Sequence, residues 1–139
     1  MKRQVNIPQM VRDVLGKPYQ RRGRGPDGFN CYGLYYYCAT EYFGLDVPAY
    51  SAAMVLDGDR EAVAVAVADR LGEWTQVGRV YAEPGDAVRL LVAGYDHVGV
   101  YLGGKEFLHI LKGKNVSTAK FTDGEWEKRF KGIFRYVGT

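Results

Sequence analysis

Cys31, His97 and His109 are the side chains best suited to covalent chemistry in this sequence, which holds only two cysteines and two histidines. A nucleophilic cysteine works as the thiolate and needs a base close by. Asn30 is a good helix cap, and Cys31, Leu34, Tyr35, Cys38 and Tyr42 follow it at spacings of three and four along one stripe. The thiol is therefore expected at a helix start, where unpaired N–H groups and the positive end of the helix dipole favour a thiolate. Both histidines fall in an expected β-hairpin that could present an imidazole to that helix end. The competing uses are weaker. Cys31 could be a small buried hydrophobe, or Cys31, His97 and His109 could be three zinc ligands with Asp96 beside them. No CxxC or HxxxH spacing supports a metal, and neither metal nor cofactor is expected.

The hairpin sets a geometric condition. If Gly103-Gly104 were a strict two-residue turn, His97 would face Ile110 and His109 would point to the opposite side of the sheet. A three-residue loop or a bulge pairs Leu102 with Glu106 instead and brings both histidines to one face. One could then take the thiol proton while the other holds its ring, the nucleophile, base and orienter arrangement of a triad. Spacing alone leaves open which histidine faces Cys31.

The elements that must position these groups read as follows. A short helix is expected over Pro8–Leu15, stopped by Gly16 and Pro18. The loop Arg21-Arg22-Gly23-Arg24-Gly25-Pro26-Asp27-Gly28 excludes regular structure. The Cys31 helix runs to Gly44 and Pro48. Within residues 57–71, Ala62–Ala68 alternates Ala and Val like a strand, but Asp57, Asp59 and Gly72 resemble caps, and helix is the favoured reading. After the Pro84-Gly85-Asp86 turn come Val88–Val92, the hairpin Val98–Leu102 with Phe107–Leu111, and a closing strand Ile133–Val137. Helices first and antiparallel strands after give an α+β domain with the N-terminal helices packed on one sheet, a single domain over 1–139.

Composition agrees with a globular domain: 47% of residues are hydrophobic and 25% charged, enough for a core without cross-links. Net charge is only +3, and the one tight basic knot (Arg21, Arg22, Arg24) is too short for a nucleic-acid surface. It reads either as a solvated loop or as an attractor for acidic ligands such as peptide carboxylates. Cys38 lies two helical turns from Cys31, about 10 Å along the axis and beyond disulfide reach, so both are free thiols and Cys38 is assigned to the core. Gly16, Gly23, Gly25 and Gly28 lack the GK[ST] of a phosphate loop. The N-terminus has no signal-peptide core and no stretch spans a membrane, so synthesis in the cytoplasm is expected.

Several motifs, in order, resemble those of the NlpC-type papain-like cell-wall peptidases: Gly16-Lys17-Pro18-Tyr19, Asn30-Cys31-Tyr32-Gly33-Leu34, Pro84-Gly85-Asp86, His97-Val98-Gly99-Val100-Tyr101-Leu102-Gly103 and Phe107-Leu108-His109. The resemblance implies a papain-like α+β fold with Cys31 as nucleophile, His97 as base and His109 as third polar residue. It implies that Tyr19 places its hydroxyl beside the thiol, helping the backbone N–H of Cys31 hold an oxyanion. The reaction it implies is hydrolysis of the bond between D-γ-glutamate and a diamino acid in peptidoglycan stem peptides. Two positions depart from the family pattern. Asn30 stands where Asp is usual, and Tyr32 where Ser is frequent; both are candidate substrate-binding residues. The neutral Asn30 loses the charge pairing with a free amine that the Asp commonly supplies. Tyr32 and the Trp126–Tyr136 ending resemble members from phage tail assembly, which implies phage tail partners and a virion-associated location. The alternative is a catalytically silent tail component that keeps the fold.

Overall fold

The computed structural model describes residues 4–49 and 73–137; the helix expected over 57–71 lies outside them. Helix α1 spans Ile7–Val14, one residue earlier than expected at each end. Asn6 accepts from the N–H of Gln9 at 3.1 Å, Pro8 sits in the first turn where no N–H is needed, and Met10 and Val14 are buried. Gly16, at φ +82°, takes the chain out of the helix.

Helix α2 starts at Cys31 and spans Cys31–Tyr37, continuing as a π-helical turn over Cys38–Tyr42 until Gly44 at φ +67°. Its cap is the expected one: the Asn30 side-chain oxygen accepts from the N–H of Gly33 at 2.6 Å. Residues 16–30 form a strap across this helix start. The Asn30 N–H donates to the Gly23 carbonyl at 3.0 Å, and a Cβ on Gly33 would come within 1.8 Å of that oxygen. Glycine at 33 therefore allows strap and helix to touch.

Six strands form one antiparallel sheet in the order β1-β6-β2-β3-β4-β5. They are β1 Trp74–Val77, β2 Ala87–Val92, β3 Tyr95–Gly103, β4 Glu106–His109, β5 Ser117–Lys120 and β6 Phe130–Tyr136. A third helix, α3 (Gly124–Arg129), precedes β6. The sheet buries both faces. On one, Ala87, Val100, Leu108 and Ile110 pack with Met10, Val14, Leu34, Tyr35 and Cys38 of the N-terminal helices. On the other, Val88, Leu90, Tyr101, Phe107 and Ile133 pack with Phe121, Trp126 and Phe130. This is the α+β arrangement expected, with short α3 added on the second face.

The β3–β4 hairpin meets the geometric condition by an unexpected route. Its turn is Gly104-Lys105, both at positive φ (57° and 68°), so the turn itself has two residues. Gly103 pairs with Glu106, but Tyr101 pairs with Phe107 and Val100 with Leu108. Leu102 is the extra residue of a bulge, and it restores the register that puts His97 and His109 on one face.

Candidate active site

The histidines meet. His97 Nε2 lies 2.9 Å from His109 Nδ1, both residues are buried, and their rings stand nearly edge to face. One nitrogen must donate and the other accept. Burial pulls His109 down to about 4, so at neutral pH it is uncharged. An uncharged His109 can accept at Nδ1 from His97 Nε2–H, which leaves His97 Nδ1 as a lone pair able to take a proton.

Local sequence explains this contact. Gly99 lies between them, where a Cβ would come within 2.8 Å of the Phe107 ring, 2.9 Å of the Leu108 carbonyl and 3.4 Å of His109 Cβ. The absent side chain at 99 gives the His109 ring its room. Leu90 pairs with His97 across the β2–β3 ladder and belongs to the same buried face.

Cys31 is the first residue of α2, is partly buried and packs against the cluster on the helix side of the sheet. The element that it opens packs along β3, the strand of His97. The imidazoles lie against Phe107 and Trp126. The strap that carries Tyr19 and leads into Cys31 is joined to the sheet as well. The strap pairs with the segment that follows His109: the Tyr19 N–H donates to Lys114 O at 3.1 Å, and Val116 N–H to Lys17 O at 2.9 Å. Tyr19 also bridges Phe29, two residues before Cys31.

The other expected site residues have defined surroundings. Asn30 is buried; its oxygen caps α2, while its amide Nδ2 has no hydrogen-bond partner among the described residues. The Tyr32 ring is buried, its hydroxyl donates to the Pro48 carbonyl, and the Arg24 guanidinium lies 5.8 Å from its centre. Arg24 also stacks on Tyr36 at 5.3 Å, whereas Arg21 and Arg22 are exposed. The basic knot is thus divided between aromatic packing and surface. Cys38 is fully buried and its thiol is pushed up to about 12 by burial, which fits core and not nucleophile. Among the described residues no three His, Cys, Asp or Glu side chains are grouped to hold a metal, and no helix is long and apolar enough to cross a membrane.

Two features escaped the sequence reading. Trp126 lies against both imidazoles, 4.7 Å from the His109 ring edge-on and 6.5 Å from that of His97 nearly parallel. The signal was a lone tryptophan in a segment with glutamates first and Lys128-Arg129 last, a helix charge pattern. The second is an ion pair between a half-exposed arginine and a buried carboxylate: Arg135 forks onto both oxygens of Asp86 at 2.8 Å, tying the Pro84–Asp86 turn to β6. Arg135 is raised by that hydrogen bonding.

Comparison with known proteins decides the family. The family model described as NlpC/P60 matches residues 16–135. The chain belongs to the NlpC/P60 family. Among curated relatives, it is 30% identical over 122 residues to the probable endopeptidase p60 of Listeria grayi, covering 87% of this chain and 20% of that one. It is 28% identical over 103 residues to protein P54 of Enterococcus faecium, covering 73% of this chain and 17% of that one. The chain thus spans about a fifth of the length of the curated relatives it matches. A lipoprotein-like NLP/P60 structure from Staphylococcus aureus shares the fold at TM-score 0.65 and 22% identity, over 96% of this chain and 41% of that one. The NlpC/P60 motifs coincide here with the strap, the start of α2, β3 and β4, so the family signature falls on the elements that carry the candidate residues.

Proposed function

We propose that this NlpC/P60 chain is a cysteine peptidase acting on peptidoglycan stem peptides, with Cys31 as nucleophile, His97 as base and His109 as orienter. The observation that carries the reading is the His97–His109 hydrogen bond, which leaves one imidazole nitrogen of His97 for a thiol proton. In the reaction, Cys31 loses its proton to His97 and the sulfur attacks the scissile carbonyl carbon. The backbone N–H of Cys31 and the Tyr19 hydroxyl hold the oxyanion, and His97 returns the proton to the leaving amine. Water, activated by the same imidazole, then cleaves the thioester and regenerates the thiol. The scissile bond joins D-γ-glutamate to the diamino acid. Asn30 and Tyr32 shape the substrate side of the helix start, Tyr32 through its packed ring. The whole of 1–139 acts as one domain, in a phage tail, reaching the wall with the virion and needing no cofactor.

Relatives support the substrate class. One is named a probable endopeptidase, and a domain that shares the fold at TM-score 0.55 belongs to a peptidoglycan hydrolase, SagA. A second reading, a silent binding component of a tail, is motivated by Asn30 and Tyr32, which stand where the family pattern has Asp and often Ser. A mass-spectrometric digest of purified muropeptides separates them. A stem-peptide fragment made by the intact protein and absent with Cys31→Ala supports the peptidase. Binding to a tail protein with no fragment at any enzyme concentration supports the silent component.

A further inference from the structure

Helix α3 has no buried residue and no side-chain cap, so little in its own sequence holds it to the sheet. What fastens it is Trp126, whose indole meets three rings of the second face. It stands edge-on to His109 at 4.7 Å and to Phe107 at 5.5 Å, and lies within 26° of parallel to His97 at 6.5 Å. Arg129 stacks on the same indole at 5.1 Å. Phe107 in turn touches the His109 ring at 4.8 Å. The His109 imidazole is thus bounded by His97, Phe107 and Trp126, and two of these are apolar.

We propose that Trp126 is a positioning residue for the His97–His109 pair: its indole fixes the two ring planes and excludes water from the hydrogen bond between them. This rests on the proposed role of the pair in catalysis, but the contact itself does not. An imidazole has a near two-fold choice of ring orientation, and a flip would replace Nδ1 by a carbon in front of His97. An edge-on aromatic at 4.7 Å restricts that choice sterically, and edge-to-face packing of aromatic rings is itself favourable. Water kept from the pair cannot compete for His109 Nδ1, so His97 Nε2–H keeps one acceptor and its tautomer is held.

Among the described residues the titratable groups around this pair are few: from α2 there is Cys31, which the proposed mechanism sets against His97. From β3 the titratable neighbour is His97 itself, while Asp96 is tied to Arg89. From β5 the residue opposite His109 is Ser117. From α3, Glu125 and Lys128 pair with each other in solvent, Glu127 is exposed, and Arg129 stacks on the indole. Loss of the indole therefore acts mainly through solvation, which raises the pKa of His109.

The test uses the full chain, in which the only imidazole signals are those of this pair. Ring-nitrogen NMR titrations of the intact protein, Trp126→Ala and Trp126→Phe report tautomer and midpoint for each ring. In Trp126→Ala the His109 midpoint is expected to rise by about one unit or more, and its single tautomer to become a mixture. Trp126→Phe should move both in the same direction by less. On muropeptides, kcat is expected to fall about tenfold in Trp126→Ala with KM little changed. An unchanged midpoint and tautomer in folded Trp126→Ala overturns the proposal. If that variant does not fold, wild-type values in Trp126→Phe overturn it equally. Should the intact protein cut no muropeptide, the peptidase reading fails, while the imidazole titration still decides the role of Trp126.

Discussion

His97 and His109 share a hydrogen bond of 2.9 Å because Leu102 is one residue too many in β3. Without that bulge the two-residue turn at Gly104-Lys105 would send the rings to opposite faces. The pair thus depends on backbone features that carry no chemistry, and the first prediction concerns one of them.

Gly99→Ala should disturb the pair without touching either histidine. The added methyl would meet the Phe107 ring at 2.8 Å and the Leu108 carbonyl at 2.9 Å, and the carbonyl cannot rotate away. Overpacking of this kind costs about 1–3 kcal/mol. Urea denaturation should show that loss, with muropeptide cleavage falling further than stability alone explains. Wild-type stability would mean that β4 can shift freely.

Stability should fall in mild acid because of His109. Its folded pKa is about 4, below the ordinary histidine value, so the unfolded chain binds more protons between the two. The stability contribution is therefore full above the unfolded pKa of about 6.5 and is lost as pH falls toward 4. Between pH 7 and pH 5 the loss attributable to this group is of order 2 kcal/mol. Denaturation at the two pH values should show it, and His109→Gln should flatten the slope. An equal slope in that variant would assign the effect to other groups.

Arg135→Lys should be far from conservative. Asp86 is 4% exposed, and both its oxygens accept from the Arg135 fork, while one of them also accepts from the Glu83 N–H at 2.8 Å. A lysine offers one point of charge where the site takes two parallel donors. Arg135→Ala is expected to cost about 3 kcal/mol by stranding a buried carboxylate, and Arg135→Lys somewhat less. Thermal melting of both variants checks this, and losses under about 0.5 kcal/mol would show that water replaces the fork.

Much of this part of the fold was legible in sequence because its signals are local. Asn30 ahead of an apolar stripe specifies the start of α2, and Gly44 its end. Alternation specifies β2, β3 and β4, and the parity of the hairpin loop posed the right question. The position of the bulge was not legible, since Gly103, Gly104 and Lys105 all adopt positive φ and only cross-strand packing chooses among them. Short β1 and β5 were missed because Trp74–Val77 and Ser117–Lys120 are largely solvent-facing and carry little apolar pattern. Trp126 and the Asp86–Arg135 pair depend on contacts between distant segments, which periodicity does not report.

The claim on which the functional reading stands is that Cys31, at the start of α2, and His97, on the strand α2 packs along, ionise as one unit. The most direct measurement is the pH dependence of Cys31 alkylation by iodoacetamide in the intact protein and in His97→Ala, with buried Cys38 as the unreactive internal control. The account predicts rapid alkylation with a midpoint well below the roughly 8.5 of a free thiol, moving up toward that value when His97 is removed. Identical profiles in the two proteins, both near the free-thiol value, would contradict it.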